Sequence, residues 1–122
     1  MSDKKLRFSK LIIMLLSLEL SNITPLCKRL REARLAAKLS QKKLGIAAGM
    51  DQFSASARMN HYEMGRHTPD YSTLKRIASV LDLPVAYFYA ESDELSEIIR
   101  IFHKLEKSTQ ILLLEKLSYN SF

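Results

Sequence analysis

Apolar residues recur every three or four positions along almost the whole chain, the spacing that lines one face of an α-helix. Leu26, Leu30, Ala33 and Ala37 form one such stripe, and Leu44, Ala47 and Ala48 a second. Ala55, Met59 and Tyr62 form a third, and Leu74, Ile77, Ala78 and Leu81 a fourth. Beyond residue 90, Leu95, Ile98, Ile99, Phe102 and Leu105 continue the pattern, followed by Ile111, Leu112, Leu114 and Leu117. Breakers separate the stripes: Asn22-Ile-Thr-Pro25, Gly49, Gly65 to Asp70, and Pro84. The spacing predicts helices over 26–38, 40–48, from 52 or 54 to 64, 72–80 and 85–89, with Ser40 and Ser72 as caps. In the tail, Asp93 and Glu94 suit the first turn of one helix, and Ser108 caps another through Leu117. The fold class is all-α.

Residues 1–24 set Lys4, Lys5, Arg7 and Lys10 before the run Leu11-Ile-Ile-Met-Leu-Leu-Ser-Leu-Glu-Leu20. A basic start and a short apolar run imitate a secretory signal peptide. The run is shorter than the ~20 residues that span a bilayer. Glu19 interrupts its end, and Leu20-Ser-Asn-Ile is a poor cleavage site. The expectation is an extra helix packed on the domain or on a second subunit; a mis-assigned start codon would give the same pattern.

Composition narrows the function. The 122 residues hold three glycines and three prolines, and the formal net charge is +6. Residues 25–89 carry eleven Lys/Arg against five Asp/Glu, residues 1–24 four against two, and residues 90–122 four against six. The excess positive charge therefore belongs to the middle segment and suits an anionic partner. Cys27 is the single cysteine, so no internal disulfide forms, in keeping with a reducing cytoplasm. Beside Lys28 and Arg29 it reads as a packed helix-start residue rather than a reactive thiol. His61, His67 and His103 lack metal-ligand spacing and no glycine-rich phosphate loop is present, so neither an enzyme nor a cofactor is expected. Tyr87-Phe-Tyr89 reads as the closure of the core rather than a base-stacking platform.

Within the basic segment, Ser40 to Gly65 has the grammar of two helices joined by a tight turn. Ser40 caps the first, Gly49 supplies positive φ at the turn, and Gly65 ends the second. That is the grammar of a helix-turn-helix, whose second helix enters the DNA major groove, and any small helical hairpin shares it.

Segment 26–89 resembles the Cro/repressor-type helix-turn-helix domain of phage and bacterial transcriptional regulators. The resemblance rests on Leu30-Arg-Glu-Ala-Arg34, Leu39-Ser-Gln41, Leu44, Ala48-Gly49, Tyr62-Glu63-Met-Gly65, Pro69, and Leu74-x-x-Ile77-Ala78-x-x-Leu81. It implies a five-helix lambda-repressor-like domain over 25–89, with an N-terminal helical extension (1–24) and a C-terminal two-helix extension (90–122). By position, Gln41 is the family glutamine that contacts a DNA phosphate, and Arg34 and Glu63 are a structural salt bridge. The base-reading positions become Ser56, Ala57, Arg58, Asn60 and His61. Ser40, Lys42, Ser54, Arg66 and His67 fall where the family meets the DNA backbone. Asn reads adenine, Arg guanine, and Ala a thymine methyl. Two departures stand out. The interval from Gly49 to Glu63 is four residues longer than usual, so the extra residues either extend the recognition helix or form a loop. Gly45 replaces the usual alanine.

The expected function is a sequence-specific DNA-binding regulator, a repressor, that binds a palindromic operator as a homodimer in the cytoplasm, with the nucleoid. Leu95, Ile98, Ile99, Phe102, Leu105, Ile111, Leu114 and Leu117 form the expected dimer interface, since two apolar helices beyond a complete domain need covering. The alternative is an antitoxin or adaptor whose tail binds a different protein. A regulator tethered to a membrane through residues 1–24, without spanning it, is a third reading.

Overall fold

A computed structural model of the chain describes residues 3–21 and 24–121. Among the described residues the regular structure is helical: α1 (Asp3–Ser21), α2 (Leu26–Ala36), α3 (Gln41–Ala47), α4 (Ala55–Glu63) and α5 (Tyr71–Val80). A 3-10 helix (Val85–Tyr89) follows, then α6 (Asp93–Lys104) and α7 (Lys107–Ser121). Helices α2 to α5 and the 3-10 helix enclose one core. Leu30, Leu44, Met59, Leu74, Ile77 and Phe88 lie fully buried at its centre. Each such side chain contributes ~1.5–3 kcal/mol by leaving water.

The stripes predict which helix faces turn inward, and the ends of helices are where they go astray. Ala37 is exposed because α2 stops at Ala36. Lys38 then adopts the left-handed conformation (φ 58°), with Leu39 N–H donating to Arg34 O at 3.2 Å. Ala47 is also exposed; Gly45, with Leu44 and Ala48, is the position α3 turns inward. Ser72 is not a cap. Asp70 takes that place, its Oδ1 accepting from Thr73 N–H at 2.8 Å and from Ser72 Oγ at 3.2 Å. Ser108 lies inside α7. Tyr87 and Phe88 close the core, but Tyr89 is exposed. Met50, Pro69 and Leu83 are buried as well. Turn residues such as these carry no helical period to announce them.

The tail is fastened by a charge that reads from the sequence as surface. Arg29 is 2% exposed, and its Nε and Nη2 donate to Ala90 O at 3.1 and 3.0 Å. Its Nη1 donates to Asp93 Oδ1 at 2.8 Å, joined there by Lys28 Nζ at 3.2 Å. One guanidinium thus ties α2 to the start of α6, where Ser92 caps the helix by accepting from Leu95 N–H. Ile99, expected at a dimer interface, is half-buried and packs against the core of its own domain. Leu95, Ile98, Ile111, Leu114 and Leu117 remain exposed, and Phe102 and Leu105 are half-buried. The described side chains of α1, residues 3–16, are all exposed, so the expected packing of this helix on the domain is absent there. Among the described residues, no helix is long and apolar enough to cross a membrane.

A Cβ added at Gly45 would stand 2.8 Å from Ala55 Cβ and 3.1 Å from Ala55 O. Helix propensity alone favours Gly45→Ala by ~1 kcal/mol, whereas the overpacked crossing costs ~1–3 kcal/mol. Denaturant unfolding should show a net loss, recovered in part when Ala55→Gly is added; a stabilised single variant would refute the close crossing. The Arg29 and Lys28 hydrogen bonds hold the Asp93 carboxyl below the usual aspartate range. A depressed carboxyl contributes stability above its unfolded pKa, ~3.9, and loses it as pH falls further. Asp93→Asn should therefore flatten the decline in melting temperature below about pH 4 and lower the melting temperature at neutral pH.

Candidate nucleic-acid interface

The candidate surface is built on α3, the turn after it, and α4. Ser40 accepts from Lys43 N–H at 3.0 Å, so α3 starts capped. Gly45 lets α3 cross α4 at backbone distance, against Ala55. Gly49 (φ 92°) turns the chain, with its N–H donating to Ile46 O and that of Met50 to Gly45 O, both at 2.9 Å. Arg76 reaches over from α5, its Nε donating to Ala48 O at 3.0 Å, and so satisfies a carbonyl at the end of α3. The buried Met50 anchors the turn from below.

The residues that lengthen the interval between Gly49 and Glu63 form a turn and leave the helix unextended. Asp51 organises it: Oδ2 accepts from Phe53 N–H at 2.9 Å, and its carbonyl accepts from the N–H groups of Ser54 (3.1 Å) and Ala55 (2.9 Å). An aspartate bonding two residues onward makes an Asx-turn, and α4 begins only at Ala55. Ala55, Met59 and Tyr62 are buried against the core. Ser56, Ala57 and Arg58 are exposed, and Asn60 and His61 are half-buried.

The structure links several of the residues singled out by the sequence. Gln41 Nε2 donates to Asn60 Oδ1 at 3.2 Å, so the first residue of α3 and the middle of α4 share a hydrogen bond. The Arg58 guanidinium gives one N–H to the Tyr62 hydroxyl at 3.2 Å, which holds it along α4. Gly65 (φ 75°) folds the following loop back over the end of α4. The N–H groups of Arg66 and His67 both donate to His61 O, at 2.9 and 3.4 Å, and the two imidazoles lie 5.0 Å apart. Lys42, Arg66 and His67 are exposed. Ser40 uses its hydroxyl oxygen on its own helix, and the half-buried Ser54 donates to Asp51 O at 3.4 Å. Among the described residues, no group of His, Cys, Asp or Glu has the arrangement of a metal site.

Beneath this surface, Arg34 and Glu63 form a two-pronged pair. Nε to Oε2 is 2.7 Å and Nη2 to Oε1 is 2.9 Å, with the side chains 11% and 4% exposed. The hydrogen bond to Glu63 raises the Arg34 pKa further above its ordinary value. The remaining nitrogen donates to Leu39 O at 3.0 Å, so one side chain ties α2, the linker to α3, and the end of α4. Sequence reasoning missed Asp51, although Asp-x-Phe at a turn has the Asx spacing. It also missed Arg76, which no local pattern marks. Arg34→Ala should cost ~3–5 kcal/mol in unfolding experiments, because Glu63 would be left charged and buried without a partner. A loss under ~1 kcal/mol would place the pair among weak surface bridges.

Comparison with known proteins agrees with this geometry. No curated protein matches the chain. Among solved structures, one similar chain is the subject of "Crystal structure of transcriptional regulator BswR". It is 44% identical, with a TM-score of 0.71 over 76% of this chain and 92% of that one. The helix-turn-helix domain family matches residues 26–87. That span runs from the first residue of α2 into the 3-10 helix and contains the whole α3–turn–α4 unit, so the chain belongs to the helix-turn-helix domain family.

Proposed function

We propose that this protein is a sequence-specific DNA-binding transcriptional regulator that acts as a repressor. In this reading it sits as a homodimer on a palindromic operator in the cytoplasm, with the nucleoid. The observation that carries the reading is the outer face of α4. Ser56, Ala57, Arg58 and Asn60 offer hydroxyl, methyl, guanidinium and amide groups outward, while Ala55, Met59 and Tyr62 fix the helix from behind. That mixture matches the donors, acceptors and thymine methyls on the major-groove floor. Lys42 and Lys43 on one side and Arg66 on the other are exposed cations suited to the phosphates. Similarity to a transcriptional regulator supports the same reading.

The homodimer rests on the tail. Ile98, Ile99, Phe102, Leu113, Leu114 and Leu117, with Pro84, line an apolar groove of about 440 Å³ between α6 and α7. A dimer paired through that groove would carry two copies of α4, and the palindrome it reads would have half-sites one helical turn apart, ~34 Å. A bound dimer would then repress by excluding polymerase. The same groove also suits a second reading, an adaptor or antitoxin whose tail receives a different protein.

Selection of binding sites from random duplexes by the purified chain tests the first reading. The expected result is an enriched palindrome bound with affinity that falls steeply with salt. No enriched sequence together with salt-indifferent binding would end it. Asn60→Ala should relax preference at one base position. Lys42→Ala should weaken all sequences about equally and lower the salt slope by about one. Light scattering should give the mass of a dimer; a stable monomer would favour the adaptor.

A further inference from the structure

The ring of Phe53 has no part in the contacts described above. The residue is 88% exposed, on the turn directly before α4 and beside the exposed Ser56 and Ala57. The helical domain buries most of its other aromatic rings, Phe88 and Tyr87 completely or nearly so and Tyr62 against the core. Single exposed apolar side chains are common on protein surfaces, so it is the position of this ring, at the mouth of α4, that matters. The Phe53 backbone is firmly placed, with its N–H on Asp51 Oδ2 at 2.9 Å.

The place of the ring follows from the path of the backbone. Asp51 O accepts from Ala55 N–H, and Ser54 O from Arg58 N–H, both at 2.9 Å, the i to i+4 bond of an α-helix. Ser54 itself has φ −111° and ψ −12°. The turn therefore leads directly into α4, with Phe53 two residues before its first residue. Along the chain Phe53 stands three and four residues before Ser56 and Ala57. The ring thus lies at the N-terminal approach to the face assigned above to the bases, the end of a recognition helix that meets base edges.

We propose that Phe53 is a specificity-determining residue that reads a thymine through its C5-methyl group in the major groove. The proposal rests on the DNA-binding reading above. A phenyl ring has no donor or acceptor for a base edge, and the thymine methyl is the one apolar group the major groove presents. Insertion of an apolar wedge between base steps belongs to minor-groove binders, whereas α4 is presented to the major groove. Ser56 and Ala57, which follow at the start of α4, are small and exposed and leave a base edge room to approach.

The test uses the operator obtained by selection, with each thymine replaced singly by uracil, which removes the methyl and keeps the base pair. Wild-type protein should lose about 4-fold in affinity at one such position, the equivalent of one buried methylene-sized group. Phe53→Ala should lose a similar factor on the thymine site and bind thymine and uracil there equally. Its melting temperature should stay that of the wild type, since the ring is outside the core. A Phe53→Ala variant that keeps the full thymine-to-uracil difference overturns the proposal. So does one that weakens every site alike, or one that changes DNA bending in a circular-permutation assay without altering methyl dependence. A wild-type protein with no preferred sequence defeats the DNA reading itself. Selective wild-type binding without coupling between Phe53 and a thymine defeats this inference alone.

Discussion

The distance between α3 and α4 is set by a missing side chain. With hydrogen at residue 45, the Cβ of Ala55 lies only 2.8 Å from where a methyl on that residue would stand. The two helices meet almost backbone to backbone. That contact fixes how far α4 stands out from the body and how it is angled toward anything it touches. At the end of α3, the Gly49 turn, the Arg76 hydrogen bond to Ala48 and the buried Met50 hold the chain as it leaves this crossing. Gly45 weakens α3 as an isolated helix. The tertiary contact outweighs that local cost, as packing commonly does for short helices.

Three arginines that count toward the domain's positive charge are engaged internally. Arg29 is committed to Ala90 and Asp93, Arg34 to Glu63 and Leu39, and Arg76 to Ala48 and Thr73. Each joins elements that are far apart in sequence, and each satisfies a backbone carbonyl along the way. Net charge therefore overstates what a ligand meets. The exposed cations near α4, namely Lys42, Lys43, Arg58 and Arg66, are a smaller and more directed set.

The helical content, the order of elements and most of the core were legible because a period of three to four is a local property. Leu30, Leu44, Met59, Leu74 and Ile77 all fall on the stripes that the sequence displays. What escaped was non-local or lay in turns. Nothing in the residues around Arg29 tells that α6 will deliver Asp93 to it, so a buried guanidinium reads as a surface charge. Ser72 and Asp70 are both good caps on paper, and only the backbone path decides between them. The long interval after Gly49 was visible as a count. Its form was decided by Asp51, whose side chain competes with the helix for nearby N–H groups. The tail misled in another way. Its apolar residues are plain, but one of them, Ile99, turns toward the body of its own chain.

The hydrogen bond from Gln41 to Asn60 bears on the entropy of recognition. An amide side chain standing alone on a helix samples several rotamers and must surrender them when it meets a partner. Here the ordering of Asn60 has already occurred during folding, because its oxygen is held by a residue of another helix. The side chains of α4 thus form a graded set, with Asn60 and Arg58 braced and Ser56 and Ala57 having little freedom to lose. If α4 reads DNA as proposed, a surface so braced would discriminate by shape and bond direction rather than by adapting. Its tolerance of near-matching ligands should be correspondingly narrow.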